Sequence, residues 1–188
     1  MKRLTLWVAL LFSASLWAGN YTVDASHSNV GFKIKHLMIS NVKGGFDRFE
    51  GVFEYDEKSK TLKSMEGNIS VDSINTANAK RDDHLKNEDF FDVKKYPHIA
   101  FKLTKVEGDK VTGTLTMHGV SKEITLELEN NGVIQDPWGN TRVGLSLSGT
   151  INRYDFGLKY NKVLEAGGLT IGEEVKLEIE LEGILDKA

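Results

Sequence analysis

His84 lies in the segment RDDHLKNEDFFDVKKYPHIAF, residues 81–101, among five carboxylates between Asp82 and Asp92. With Asp82, Asp83, Glu88 and Asp89 it offers the ligand types of a zinc or hard-cation site, so metal-dependent hydrolysis is the first chemistry to weigh. Zinc hydrolases commonly carry two histidines at helical or strand spacing, and neither H-E-x-x-H nor H-x-H occurs here. The histidines His27, His36, His84, His98 and His118 are scattered, and His98 and His118 fall on the polar, solvent-facing sides of predicted strands. No G-x-S-x-G elbow or phosphate-cradling loop is present, and the neighbours His27 and Ser28 diverge on a strand, so nucleophilic catalysis finds no support. A simpler account of the acids is electrostatic. Asp82 and Asp83 lie where carboxylates favour a helix N-terminus, and the others alternate with Lys86, Lys94 and Lys95 as on a solvated surface. The expectation is a protein with no catalytic residue, metal or cofactor. The alternative is a metal-dependent hydrolase built on the His84 segment.

The elements that must position these groups are strands, because apolar residues recur with period two. Val30, Phe32 and Ile34 share one face, opposite Gly31, Lys33 and Lys35. Ile99, Phe101 and Leu103 repeat the pattern, as do Val111, Gly113, Leu115 and Met117, then Ile124, Leu126 and Leu128, then Val175, Leu177, Ile179 and Leu181. Turn signals at 56–60, 107–110, 118–122, and at NNG and DPWGN between 130 and 140, join neighbouring strands antiparallel. About eight strands and few helical candidates predict an all-β antiparallel sheet or barrel. In FDRFEGVFEY the aromatic phase slips around Gly44 and Gly45, as a bulge at a barrel corner would require. Asn75 to Phe91 breaks the rhythm and is predicted as a short helical lid, ended at the Tyr96–Pro97 step.

The first eighteen residues, MKRLTLWVALLFSASLWA, pair Lys2 and Arg3 with a short apolar run and small residues at its end, the pattern of a secretory signal; an uncleaved anchor is the other reading. Cleavage after Ala18 leaves one domain, 19–188. It also reduces the 24 basic residues to 22 against 27 acidic ones, a net charge of −5 that disfavours nucleic acid. The chain has no cysteine, which excludes disulfides, thiol catalysis and a lipidated N-terminal Cys. A periplasmic location is expected. Lys and Glu crowd the polar face, no aromatic girdle is evident, and the C-terminus is polar, so the apolar face is expected to point inward rather than at lipid.

A closed eight-stranded barrel holds either packed side chains or one small ligand. Inward glycines at 51, 67, 113 and 149 suggest empty space; the other reading is a filled core in which glycines serve strand bends. His36 ends the Val30–Phe32–Ile34 face near a barrel mouth, where it bonds either a backbone carbonyl or a ligand head group. At least one of Phe90 and Phe91 is expected to plug the barrel end.

DASHSNVGFKIKHL, VKGGFDRFEG, NTANAKRDDHLKNEDFFDVKKYPHIAF, GTLTMHGVSKEITL, INRYDFGL and IGEEVKLEIELEG, in this order, resemble the YceI-like family of secreted bacterial proteins. GVSK for the commoner GVTK, and IGEEV for VGDEV, are conservative departures. The resemblance implies a lipocalin-like barrel whose long apolar pore binds a polyisoprenoid or similar amphiphilic chain in the periplasm, often as a homodimer; transient membrane contact is a separate expectation for such a carrier. It places Phe32, Ile34, Phe101, Leu115, Leu126 and Phe156 on the pore wall, five of which alternation independently puts on dry faces. It makes Asn78 and Arg81, with His84, polar contacts at the mouth. Arg153 is either such a contact or a structural partner of Asp155 or a mouth carboxylate. Burying about 20 methylenes at roughly 0.8 kcal/mol each outweighs one charge-assisted hydrogen bond of roughly 1.5–3 kcal/mol, so the tail sets affinity and the head sets choice. A packed, non-binding stress protein is the remaining alternative.

Overall fold

Alternation becomes a single eleven-stranded antiparallel sheet in the computed structural model, which describes residues 18–162 and 169–187. All of the expected leader but Ala18 lies outside the described residues. The strands are β1 (Gly19–Val23), β2 (Asn29–His36), β3 (Ser40–Phe46), β4 (Phe49–Asp56), β5 (Thr61–Ser70) and β6 (Ile74–Asn75), then α1 (Ala79–Leu85), then β7 (His98–Glu107), β8 (Lys110–Met117), β9 (Val120–Gln135), β10 (Thr141–Asn152) and β11 (Ile171–Leu185). In the order β1-β4-β5-β7-β8-β9-β10-β11, closed by a β1–β11 pairing, they make an eight-stranded barrel. β2, β3 and β6 continue the walls of β1, β4 and β5 upward, with β2 on the first half of β11 and β1 on its last residues. α1 and the crossings β2–β3, β6–β7, β8–β9 and β10–β11 gather at one end, called the top.

Three turn and phase readings are revised. NNG is no turn: β9 runs through it, and Asn131 is the extra residue of a bulge opposite Gly144 and Leu145. The aromatic phase slip is a strand break at Asp47 and Arg48 rather than a bulge at Gly44, and it leaves both Phe46 and Phe49 facing inward. His118 is half-buried in the β8–β9 turn, where its Nδ1 lies 3.2 Å from the Phe156 carbonyl oxygen and its ring packs on Tyr96.

The interior is divided by height. At the bottom, Tyr21, Tyr55, Val143, Leu145 and Phe53 are wholly or almost wholly buried in one cluster. Tyr21 stacks on Phe53 with ring centroids 5.3 Å apart, and its hydroxyl donates to Glu57 Oε1 at 2.8 Å. Burial first, then Glu57, pushes that hydroxyl's pKa above the usual range. Gly183 lets the Phe53 ring in, since a Cβ there would stand 2.3 Å from its Cζ. This half is a packed core.

Outside the lower rim, Arg142 ties β10 to β11, to the segment that follows β1 and to the β9–β10 turn. Its Nη1 donates to Asp24 Oδ2 at 2.9 Å and to Glu182, and its Nε donates to Asp136 Oδ2 at 2.7 Å. Arg142, helped by Asn140 and the Trp138 amide, holds the Asp136 carboxyl well below the usual carboxylate range. Ser26, then His27 and Arg142, do the same for Asp24. Folded-state pKa values below the unfolded 3.8 contribute stability that is present above that pH and lost as pH falls toward the folded values. Arg142→Met should therefore lower the thermal midpoint at pH 7, and the gap from the parent should narrow as pH drops below about 4. Thermal unfolding across pH checks this; a gap unchanged down to pH 2.5 would refute it.

Candidate functional site

Above the aromatic floor the barrel is hollow. A cavity of about 400 Å³, within the roughly 300–1,000 Å³ of small-molecule sites, rises to the top. Its wall follows directly from period two: Val30, Phe32, Ile34 and then His36 on β2 line the inner surface beside Val175, Leu177 and Ile179 on the neighbouring β11, which adds Leu181 further down. Met65, Phe101, Leu115, Leu126, Leu147 and Ile151 complete the circuit.

Glycines shape this space in opposite ways. A Cβ on Gly113 would stand 2.3 Å from the Phe101 ring, and one on Gly149 2.6 Å from Leu126, so those two gaps are filled by neighbours. Gly51 and Gly67, paired across β4 and β5, border the cavity itself. At Gly67 the sole non-neighbouring atom within 4 Å of such a Cβ is the Glu50 carbonyl oxygen at 3.6 Å, so open space lies beyond it.

The top is built by α1, the segment after it and the β10–β11 crossing. Asn78, extended at φ −152°, caps α1 by accepting from the Arg81 amide at 3.0 Å. Asp82 accepts from the Thr76 amide at 2.9 Å and from the Thr76 hydroxyl, pinning the helix start to the end of β6. This directs Arg81, His84 and Leu85 to the cavity. Arg81 Nε and Nη2 each donate to Thr76 at 2.7 Å. His84 Nε2 lies 2.8 Å from Asp89 Oδ2, and its ring meets Phe90 and Tyr160 edge-on with centroids 5.1 Å away. Phe90 is buried and its ring also packs on Tyr160, with centroids 4.7 Å apart, while Phe91 packs edge-on against Phe46; both border the cavity.

Arg153, 3% exposed, also borders the cavity. It pairs with neither Asp155 nor any other described carboxylate. Its guanidinium donates to the carbonyls of Gly172 at 2.8 Å, Leu158, and Ile171 at 3.4 Å, and lies over the Tyr154 ring. Burial pulls its pKa down from the usual arginine value, which makes it a desolvated cation. Among the described residues neither Arg81 nor Arg153 forms an ion pair.

The structure thus places Phe32, Ile34, His36, Phe90, Phe101, Leu115 and Leu126 on the wall, and Arg81 and His84 at the mouth. Two expectations are corrected. Phe156 sits in a 3₁₀ turn after β10, buried in the cluster with Val71, Met117 and Leu158, and does not border the cavity. Asn78 lies on an outer groove with Asp47, Asp72 and Lys86, its side chain committed to the helix cap. Sequence reasoning missed Tyr160, which lies in a loop where no periodicity applies, and Met65 and Leu147, whose strands could have revealed them. No metal cluster forms around His84 among the described residues. The trio close enough to share an ion is Asp24, His27 and Glu182, and Arg142 already donates to both of its carboxylates.

A closed antiparallel barrel around an apolar cavity with a polar mouth defines the lipocalin-like class. Residues 21–183 match the YceI-like domain, and the chain belongs to that family. UPF0312 protein SA2479 of Staphylococcus aureus is 42% identical over 164 residues, covering 87% of this chain and 96% of that one. The crystal structure of the Campylobacter jejuni YCEI protein aligns over 100% of both chains at 37% identity and TM-score 0.70. A polyisoprenoid binding domain from Saccharophagus degradans shares the fold at TM-score 0.66 and 19% identity, covering 88% of this chain and 98% of that one.

Proposed function

We propose that the protein binds and carries a long-chain isoprenoid or similar amphiphilic lipid, its tail in the upper barrel and its head at the mouth. The observation that carries this is the apolar cavity of about 400 Å³ above a solid aromatic floor, bordered by Arg81 and Arg153, neither of which has an acidic partner among the described residues. The polyisoprenoid-binding designation of the S. degradans relative supports the same ligand class. Burial of the tail supplies affinity without any bond being made or broken, so the reading needs no catalytic residue, cofactor or nucleic acid. Two cations at the mouth favour a head rich in acceptor oxygens, because an arginine donates and never accepts. The leader-like N-terminus supports export to the periplasm, and a carrier there would meet a membrane transiently; a homodimer is the assembly the family resemblance implies. A wholly packed barrel, the rival reading, suits only the lower half of the interior.

Native mass spectrometry of freshly purified protein tests the proposal. A mass increment released by organic solvent and identified as a long-chain lipid is expected. Protein that carries no lipid and takes up none from a mixed lipid extract would overturn it.

A further inference from the structure

The β2–β3 hairpin projects beside the mouth and ends in Leu37, Met38 and Ile39, which are 36%, 57% and 84% exposed. Leu37 and Met38 have φ of +51° and +61°, a left-handed conformation that suits glycine or asparagine and costs bulky side chains energy. The tip is nevertheless well tied. Leu37 N donates to the Thr170 carbonyl at 2.9 Å, Ile39 N to the His36 carbonyl at 3.2 Å, and the Ser40 hydroxyl to the same oxygen at 3.3 Å. Three large apolar side chains are thus held in water by a backbone that would be more relaxed without them.

Charge points the same way. The whole chain is net −3, yet residues 29–46 contain Lys33, Lys35 and Lys43 and neither Asp nor Glu. Lys33 is paired with Glu178 at 2.8 Å, whereas Lys35 and Lys43 are exposed. Apolar side chains flanked by lysines match a surface that has hydrocarbon beneath an anionic layer. The hairpin is continuous with the cavity, since His36 and Lys35 next to the tip border it.

We propose that this hairpin docks the barrel mouth onto an anionic lipid bilayer, with Leu37, Met38 and Ile39 entering the interface and Lys35 and Lys43 against the head groups. The proposal deepens the carrier reading and rests on it, because docking in this orientation brings the cavity opening to the bilayer.

Co-sedimentation with vesicles of phosphatidylethanolamine and phosphatidylglycerol tests it, alongside native mass spectrometry of the same samples. Leu37→Asn with Met38→Asn and Ile39→Ser suits the left-handed backbone and should keep the fold. It is expected to weaken vesicle binding about a hundredfold or more while cavity lipid is retained. Lys35→Gln and Lys43→Gln should each weaken binding about fivefold, and added salt should mimic them. Vesicle binding by the triple variant equal to the parent's would overturn docking. So would sedimentation showing that the tip instead joins two copies, for example along the edge of β3, with no affinity for vesicles. The carrier reading fails separately, by the absence of cavity lipid from the parent protein.

Discussion

Gly67→Leu is expected to abolish tight binding of long-chain lipid while leaving the barrel folded. The residue points inward on β5 between Met65 and Ile69, and space opens beyond its Cβ position. Its φ lies outside the left-handed region, so a side chain imposes no backbone strain. A leucine there occupies the room of about three to four methylenes of a tail, each worth roughly 0.8 kcal/mol, which amounts to a loss of about a hundredfold in affinity. The unliganded protein should hold its thermal midpoint or gain slightly, because the new side chain buries apolar surface and stiffens the unfolded strand. Gly113→Ala supplies the contrast: its Cβ meets the Phe101 ring at 2.3 Å, so stability should fall as Phe101 is driven from its place. Lipid titration together with thermal unfolding separates the two variants. Undiminished lipid binding by Gly67→Leu would place the tail elsewhere.

Arg153→Met is expected to cost the largest stability of any change at the mouth. The guanidinium donates to the carbonyls of Gly172, Leu158 and Ile171 from a position 3% exposed; Ile171 keeps Asn161 as a donor, so the change leaves the Gly172 and Leu158 acceptors without this partner, and each buried acceptor left unpaired costs roughly 1–3 kcal/mol. A net loss of about 3 kcal/mol corresponds to a midpoint lowered by roughly 6–12 °C for a domain of this size. Arg153→Lys should recover only part of it, since a single ammonium cannot reproduce the planar fork that reaches three oxygens at once. The carbonyls it holds begin β11 and follow the 3₁₀ turn. Neighbouring bonds extend the frame: Asn161 bonds both backbone groups of Ile171, and Thr170 accepts from Leu37 at the hairpin tip. Loss of the arginine should therefore also loosen the mouth and speed lipid release. A lysine variant as stable as the parent would show that charge alone is needed.

Much of this architecture is written in the sequence, and physics explains where it stops. Alternation assigns Val30, Phe32 and Ile34 to the inside, and Val175 through Leu181 likewise, because a pleated strand leaves a side chain only two directions. It assigns a face and not a height. Tyr21, Phe53 and Tyr55 alternate just as the wall residues do, yet they make the solid floor, and only strand register sets them below the cavity. Gly67 and Gly113 share the inward phase but differ in fate, because the ring of Phe101 crosses to cover one of them. Phe156 and Arg153 lie in a 3₁₀ turn where period two has ended, and the oxygens that Arg153 holds are as far as 19 residues away in sequence. The acids around His84 were legible only in part: Asp82 anchors the start of α1 as a carboxylate at a helix N-terminus should, whereas Asp89, which reads as solvated surface, pairs with His84 and orients the imidazole.

Calorimetric titration of the delipidated protein with amphiphiles that share one head group and differ in chain length tests the central claim most directly. A hollow upper barrel above a fixed floor predicts affinity that rises by up to roughly fourfold per added methylene and then levels off once the tail reaches Tyr21 and Phe53, with the plateau arriving at shorter chains in Gly67→Leu. Affinity that is independent of chain length, or that follows the head group alone, would contradict it.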